Sequence, residues 1–130
     1  TVVSYSRGVV TALDVANRLA GDGISVEVVD LRRLRPEDGD TVCASVRKTS
    51  RAVIFEDDLL SYGIGAEISA TIGEGAFDWL DAPVRRVAGA EVPLPYSKPL
   101  ELAAMPDAAA LTKVIHETLS ASAFEGGQHV

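Results

Sequence analysis

Along the chain, short runs of apolar, β-branched residues alternate with stretches in which apolar residues recur every three or four positions. The first kind predicts strands buried on both faces, the second amphipathic helices. Residues 1–5 are the first such run, and Ser6-Arg7-Gly8 follows as a tight turn with Ser6 placed to cap a helix. Val9, Leu13, Ala16 and Ala20 mark that helix, and Gly21-Asp22-Gly23 stops it. Residues 24–29 form the second strand. Beyond Pro36, Glu37 and Asp38 suit a helix start, and Val42, Cys43 and Val46 give the helix its buried stripe as far as Lys48-Thr49-Ser50. A third strand over 51–56 leads through a loop, 57–63, into a helix on which Ile64, Ile68 and Ile72 stack at four-residue intervals. Pro83 opens a fourth strand, 84–88. Residues 91–105, with prolines at 93, 95 and 99, predict a stiff, exposed segment without helix. Leu111, Val114, Ile115 and Thr118 mark the final helix, and 125–130 predict a frayed tail.

Strands alternating with helices at this spacing mean βαβ units and a mostly parallel sheet with helices on both faces. The 130 residues suit one domain, and 47% hydrophobic content suits a packed core. A net charge of −7 argues against nucleic acid and anionic membrane surfaces, and favours a basic protein partner. The single cysteine, Cys43, excludes an internal disulfide and reads as a small core residue. No apolar run approaches the ~20 residues of a spanning helix, and no signal-peptide pattern opens the chain. Thr1 is not a methionine and already belongs to a strand, so the sequence is expected to continue a longer protein.

Five groups of residues carry candidate chemistry. Asp30-Leu31-Arg32-Arg33-Leu34-Arg35-Pro36 gathers three arginines at the carboxyl end of the second strand, where open α/β sheets meet ligands. Arg32, Arg33 and Arg35 either fork onto a carboxylate or phosphate, or brace the loop through ion pairs. Tyr62-Gly63-Ile64-Gly65 opens a helix with exposed N–H groups. Gly63 and Gly65 there fit an anion contact, or close packing of the helix start against the sheet. Position 68 is Ile68, and the glycines follow the third strand, so this is no dinucleotide fingerprint. Glu56-Asp57-Asp58 can be read as magnesium ligands or as a strand end with solvated acids, Asp57 and Asp58 lying in the loop; Glu56 and Asp57 should point to opposite sides. His116 and His129 have no partner at ligand spacing, so neither zinc nor a nucleophilic triad is expected. Trp79 is read equally as an interface anchor or as a core residue capping the sheet edge.

Taken in order, the segments around Asp30–Pro36, Val53-Ile54-Phe55-Glu56, Tyr62-Gly63-Ile64-Gly65-Ala66-Glu67-Ile68, Leu80-Asp81-Ala82-Pro83 and Val92-Pro93-Leu94-Pro95-Tyr96 resemble the carboxyl-terminal, transketolase-like domain of the beta subunit of 2-oxo acid dehydrogenase decarboxylases, of the pyruvate or branched-chain type. The resemblance runs from Thr1 to about Leu119; many relatives carry histidine where this chain has Phe55. It implies an α/β three-layer sandwich around a mostly parallel, five-stranded sheet, over residues 1–120, followed by a disordered tail at 121–130. It implies thiamine diphosphate and magnesium in the intact enzyme, bound by the alpha subunit and an amino-terminal domain absent from this sequence, and neither catalytic nor cofactor ligands here. The isolated domain is then expected to be inactive, a scaffold whose partners are the alpha subunit, a second beta subunit and the subunit-binding domain of the acyltransferase, in a bacterial cytoplasm or a mitochondrial matrix. By motif, the aspartate facing a basic residue of that docking module is Asp81. In the family the terminal carboxylate can join the docking site soon after the last helix; here residues 120–130 intervene before Val130 ends the chain. A phosphate- or nucleotide-binding module, and the same domain of a transketolase or a ferredoxin-linked oxidoreductase, are the alternatives.

Overall fold

The computed structural model describes residues 1–121. The expected tail lies almost wholly outside the described residues, as do His129 and Val130. Strands β1 (Val2–Ser4), β2 (Val28–Asp30), β3 (Val53–Leu59) and β4 (Arg85–Gly89) form one sheet in the order β2-β1-β3-β4, every pairing parallel. Helices α1 (Gly8–Gly21), α2 (Gly39–Thr49), α3 (Ile64–Ala76), α4 (Lys98–Ala104) and α5 (Ala108–Ser120) connect and flank it. The sheet has four strands among the described residues, one fewer than the resemblance implies; the hydrophobic pattern itself holds only four β-branched runs.

Alternation along the strands divides the core into two layers. Val3 and Ile54 pack with Val42, Cys43 and Val46 of α2 and Ile68 and Ile72 of α3. Val2, Val53 and Phe55 face the other way, onto Ala12, Val15 and Leu19 of α1 and Leu111 and Ile115 of α5. Buried side chains on both faces are what a parallel sheet in a three-layer sandwich requires. Cys43 is in the core, as expected.

Local differences from the sequence reading have identifiable causes. Helix α1 turns Gly8, Ala12, Val15 and Leu19 inward, one residue out of register with the expected stripe, and leaves Leu13 48% exposed. Gly8 sets that register: a Cβ there would lie 2.5 Å from the Ser4 hydroxyl, so only glycine lets the helix start pass the sheet this closely. Ser6 does not cap α1; it has a positive φ of 53°, and Arg7 stands at the N-cap without a side-chain bond. Strand β2 is shorter than 24–29, because the Ile24 N–H turns back to the Leu19 carbonyl. Strand β3 runs to Leu59, so Asp57 and Asp58 lie on the strand and not in a loop. The segment 91–105, expected to be free of helix, contains α4; Pro99 sits in its first turn, where a helix needs no N–H donor. Helix α4 buries no residue.

Two carboxylates close helix starts. Asp38 accepts the Thr41 N–H at 3.1 Å, and Asp107 accepts the Ala110 N–H at 2.7 Å. Replacing Asp107 with alanine should cost about 1 kcal/mol of stability in urea unfolding, whereas asparagine, which keeps an acceptor, should cost a few tenths.

Candidate functional site

Two edges of the sheet hold the residues singled out by sequence. At the carboxyl edge, alternation carries Glu56 to the α2/α3 side and Asp57 to the α1/α5 side, opposite as expected. Asp57 pairs with Arg7 at 3.1 Å, next to the start of α1. Glu56 is not solvated: it is 1% exposed. Its Oε2 accepts the Gly65 N–H at 2.7 Å, its Oε1 accepts Arg86 Nη2 at 2.8 Å, and the Tyr5 hydroxyl lies 3.4 Å away. Burial, reinforced by the Glu56 charge, holds the Tyr5 phenol well above its ordinary range.

This cluster decides what the glycines do. A Cβ on Gly65 would fall 2.1 Å from the Glu56 carboxylate, and one on Gly63 would fall 2.3 Å from the Leu59 carbonyl oxygen. Both are there for close approach. The first-turn N–H of α3, which can hold an anion, holds the protein's own carboxylate. A phosphate at the same place would lose that donor and face a buried negative charge. Nor do these residues make a metal centre: among the described residues no three His, Cys, Asp or Glu side chains cluster as ligands, and an arginine already satisfies Glu56.

The arginine loop is split. Arg32 Nε donates to Asp30 at 2.6 Å, while the Arg32 side chain remains largely in solvent. Arg33 and Arg35 are exposed and form no ion pair among the described residues. Loop bracing therefore accounts for one of the three. The other two guanidinium groups face outward.

At the opposite, amino edge stand Trp79 and Asp81. A 3₁₀ turn over Phe77–Trp79 closes α3. Trp79 is 48% exposed and Phe77 71%, which excludes the core-capping alternative. The Arg47 guanidinium lies 5.0 Å from the Trp79 ring centroid and donates to the Gly75 carbonyl, fixing the ring from one side. The Asp81 N–H donates to the Ser50 carbonyl at 2.8 Å, and the Asp81 carboxylate, 60% exposed, lies 3.6 Å from Arg51 Nη1. Sequence reasoning missed Arg47, Arg51 and Arg86. Each meets its partner across about thirty positions or more, and no spacing rule reaches that far.

The family model of the transketolase C-terminal domain matches residues 1–111. The chain is 51% identical over 106 residues to the mitochondrial pyruvate dehydrogenase E1 component subunit beta-1 of Arabidopsis thaliana, covering 82% of this chain and 29% of that protein. It is 50% identical over 106 residues to the pyruvate dehydrogenase E1 component subunit beta of Rickettsia bellii, covering 82% and 33%, and 43% identical over 122 residues to the mitochondrial subunit beta of Saccharomyces cerevisiae, covering 92% and 33%. It thus spans about a third of the length of these relatives. Among solved structures, a split gene transketolase, described as an inactive beta4 tetramer, superposes with a TM-score of 0.77 at 24% identity, over 92% of this chain and 37% of that one.

The Glu56 cluster is testable apart from any relative. Arg86→Met strands a buried carboxylate and should cost about 3–5 kcal/mol in urea unfolding. Gly65→Ala pushes the carboxylate off the helix start and should cost about 1–3 kcal/mol. Neutral effects of both would show that the cluster does not hold α3 to the sheet.

Proposed function

The chain belongs to the transketolase C-terminal domain family, and from that premise we propose that it is the scaffold, subunit-pairing and acyltransferase-docking domain of the beta subunit of a 2-oxo acid dehydrogenase decarboxylase. The observation that carries the reading is the near 50% identity, over most of this chain, to pyruvate dehydrogenase E1 beta subunits from plants and bacteria. In this reading the intact enzyme oxidatively decarboxylates pyruvate, or a branched-chain 2-oxo acid, and passes the acyl group to a lipoyl arm, in the bacterial cytoplasm or the mitochondrial matrix.

Thiamine diphosphate and magnesium belong to the intact enzyme in this proposal, and the residues described do not fit them. The glycine-flanked helix start that a diphosphate would use is filled by Glu56. In this reading the cofactor is held, as the family resemblance implies, by the alpha subunit and the amino-terminal part of the beta subunit. The same observation counts against a nucleotide- or phosphate-binding module built on Gly63 and Gly65. Arg33 and Arg35, outward-facing at the carboxyl edge, are assigned to contacts with the alpha subunit or a second beta subunit, and Arg32, already paired, borders them.

Asp81 is the proposed contact for the acyltransferase's subunit-binding domain. Its carboxylate is accessible, its backbone is pinned to Ser50, and Phe77 and Trp79 expose aromatic surface beside it. An accessible acid flanked by rigid aromatics suits a basic partner with an apolar rim. In the assembled decarboxylase, Asp81→Lys should weaken binding of that domain at least about tenfold, ~1.4 kcal/mol, with folding and subunit assembly retained. Titration calorimetry checks this, and unchanged affinity would remove Asp81 from the docking site. Nucleotides and sugar phosphates should leave the unfolding temperature unmoved; a saturable rise with one of them would restore the ligand-binding alternative.

A further inference from the structure

Arg51 precedes β3 and is only half-buried, yet it ties together three elements. Its Nε donates to the Thr118 carbonyl at 3.2 Å, in the last turn of α5. Helix α5 has no basic residue of its own in that turn, so Arg51 supplies the cation that its negative dipole end attracts. Its Nη1 stands 3.6 Å from Asp81 Oδ2, beyond hydrogen-bond length. Anchored on Thr118, the guanidinium lowers the field of Asp81 without occupying its oxygens. The contrast within the same molecule is Arg86, which closes onto the buried Glu56 at 2.8 Å.

We propose that Arg51 is a built-in competitor for the docking cation: it partly neutralises Asp81 in the free domain and so limits how tightly a basic partner binds there. The inference rests on the docking reading of Asp81. A partner's arginine or lysine can take the solvent-facing oxygens of Asp81, but it then shares one carboxylate with a second guanidinium, and the two like charges repel. Arg51 is not needed to place the Asp81 main chain, which the backbone already holds. The Asp81 N–H is bonded to the Ser50 carbonyl at 2.8 Å, and Arg85 N–H to the Ala52 carbonyl at 3.1 Å, pinning the loop at both ends. With positioning supplied by the backbone, the electrostatic competition decides the sign.

The experiment is a double-mutant cycle in the assembled decarboxylase, alpha and beta subunits together, titrated with the acyltransferase's subunit-binding domain at two salt concentrations. Arg51→Gln should tighten binding about two- to fivefold, the scale of an exposed ion pair, and steepen the salt dependence. In an Asp81→Asn background the same substitution should have no effect on affinity. Loss of the Thr118 contact should lower the unfolding temperature equally in both backgrounds, which separates the structural role of Arg51 from the electrostatic one. If Arg51→Gln leaves affinity unchanged or weakens it while Asp81→Asn weakens it, the Arg51 inference is overturned and the docking reading stands. If Asp81→Asn itself leaves affinity unchanged, the docking reading falls and takes the inference with it. Arg51→Met, which keeps the aliphatic stem, serves for the cycle if the glutamine variant does not assemble.

Discussion

A carboxylate buried at the start of α3 is the contact on which the arrangement of this domain turns. Glu56 sits at the end of the core run of β3, where the next inward position after Ile54 would ordinarily be apolar. A bare charge there would be expensive. Three partners make it tolerable: the dipole end of α3 through the Gly65 N–H, the Arg86 guanidinium from β4, and the Tyr5 hydroxyl from the turn after β1. The group thereby crosslinks β3, β4, α3 and the end of β1 from one point. It also dictates residue types at a distance, since Gly65 cannot carry a side chain while Glu56 occupies that space.

This arrangement separates the domain from the ligand-binding use of its own architecture. In open α/β sheets the carboxyl edge, with its helix N-termini, is where small anions are held. Here the α3 start is satisfied internally, and Asp57 on the opposite face is answered by Arg7. What remains open at that edge is a loop carrying the exposed guanidinium groups of Arg33 and Arg35. Anion binding at the α3 start is closed off by the same contact that fixes the helix.

Much of this was legible in the sequence, and the failures have a pattern. Strand order of appearance, the stripes of α2, α3 and α5, the burial of Cys43 and the opposed directions of Glu56 and Asp57 follow from local periodicity. What periodicity did not reach was set by close contact across the fold. The face that α1 buries is chosen by the approach of Gly8 to Ser4 and Phe55, not by the most apolar stripe, which leaves Leu13 in solvent. Pro99 reads as a helix breaker only while Ser97 is not recognised as the N-cap of α4, and position within the turn decides which role a proline plays. Glu56 looked like one of three solvated acids because the arginine that neutralises it lies thirty positions later.

At the amino edge an exposed acid and exposed aromatic rings are carried on an ordered main chain. The Asp81 loop is hydrogen-bonded to Ser50 and Ala52, which lead into β3, so its placement is set by the sheet. Trp79 is held from behind by Arg47, whose own guanidinium is tied to a carbonyl at the end of α3. The loop main chain and the Trp79 ring are thereby ordered in advance, which reduces the entropy cost of ordering them in any contact. The net charge of −7 acts at longer range, attracts basic groups and is screened by salt. The Asp81 carboxylate is thus only partly neutralised by Arg51, while its main chain is held by the backbone bond and not by the ion pair.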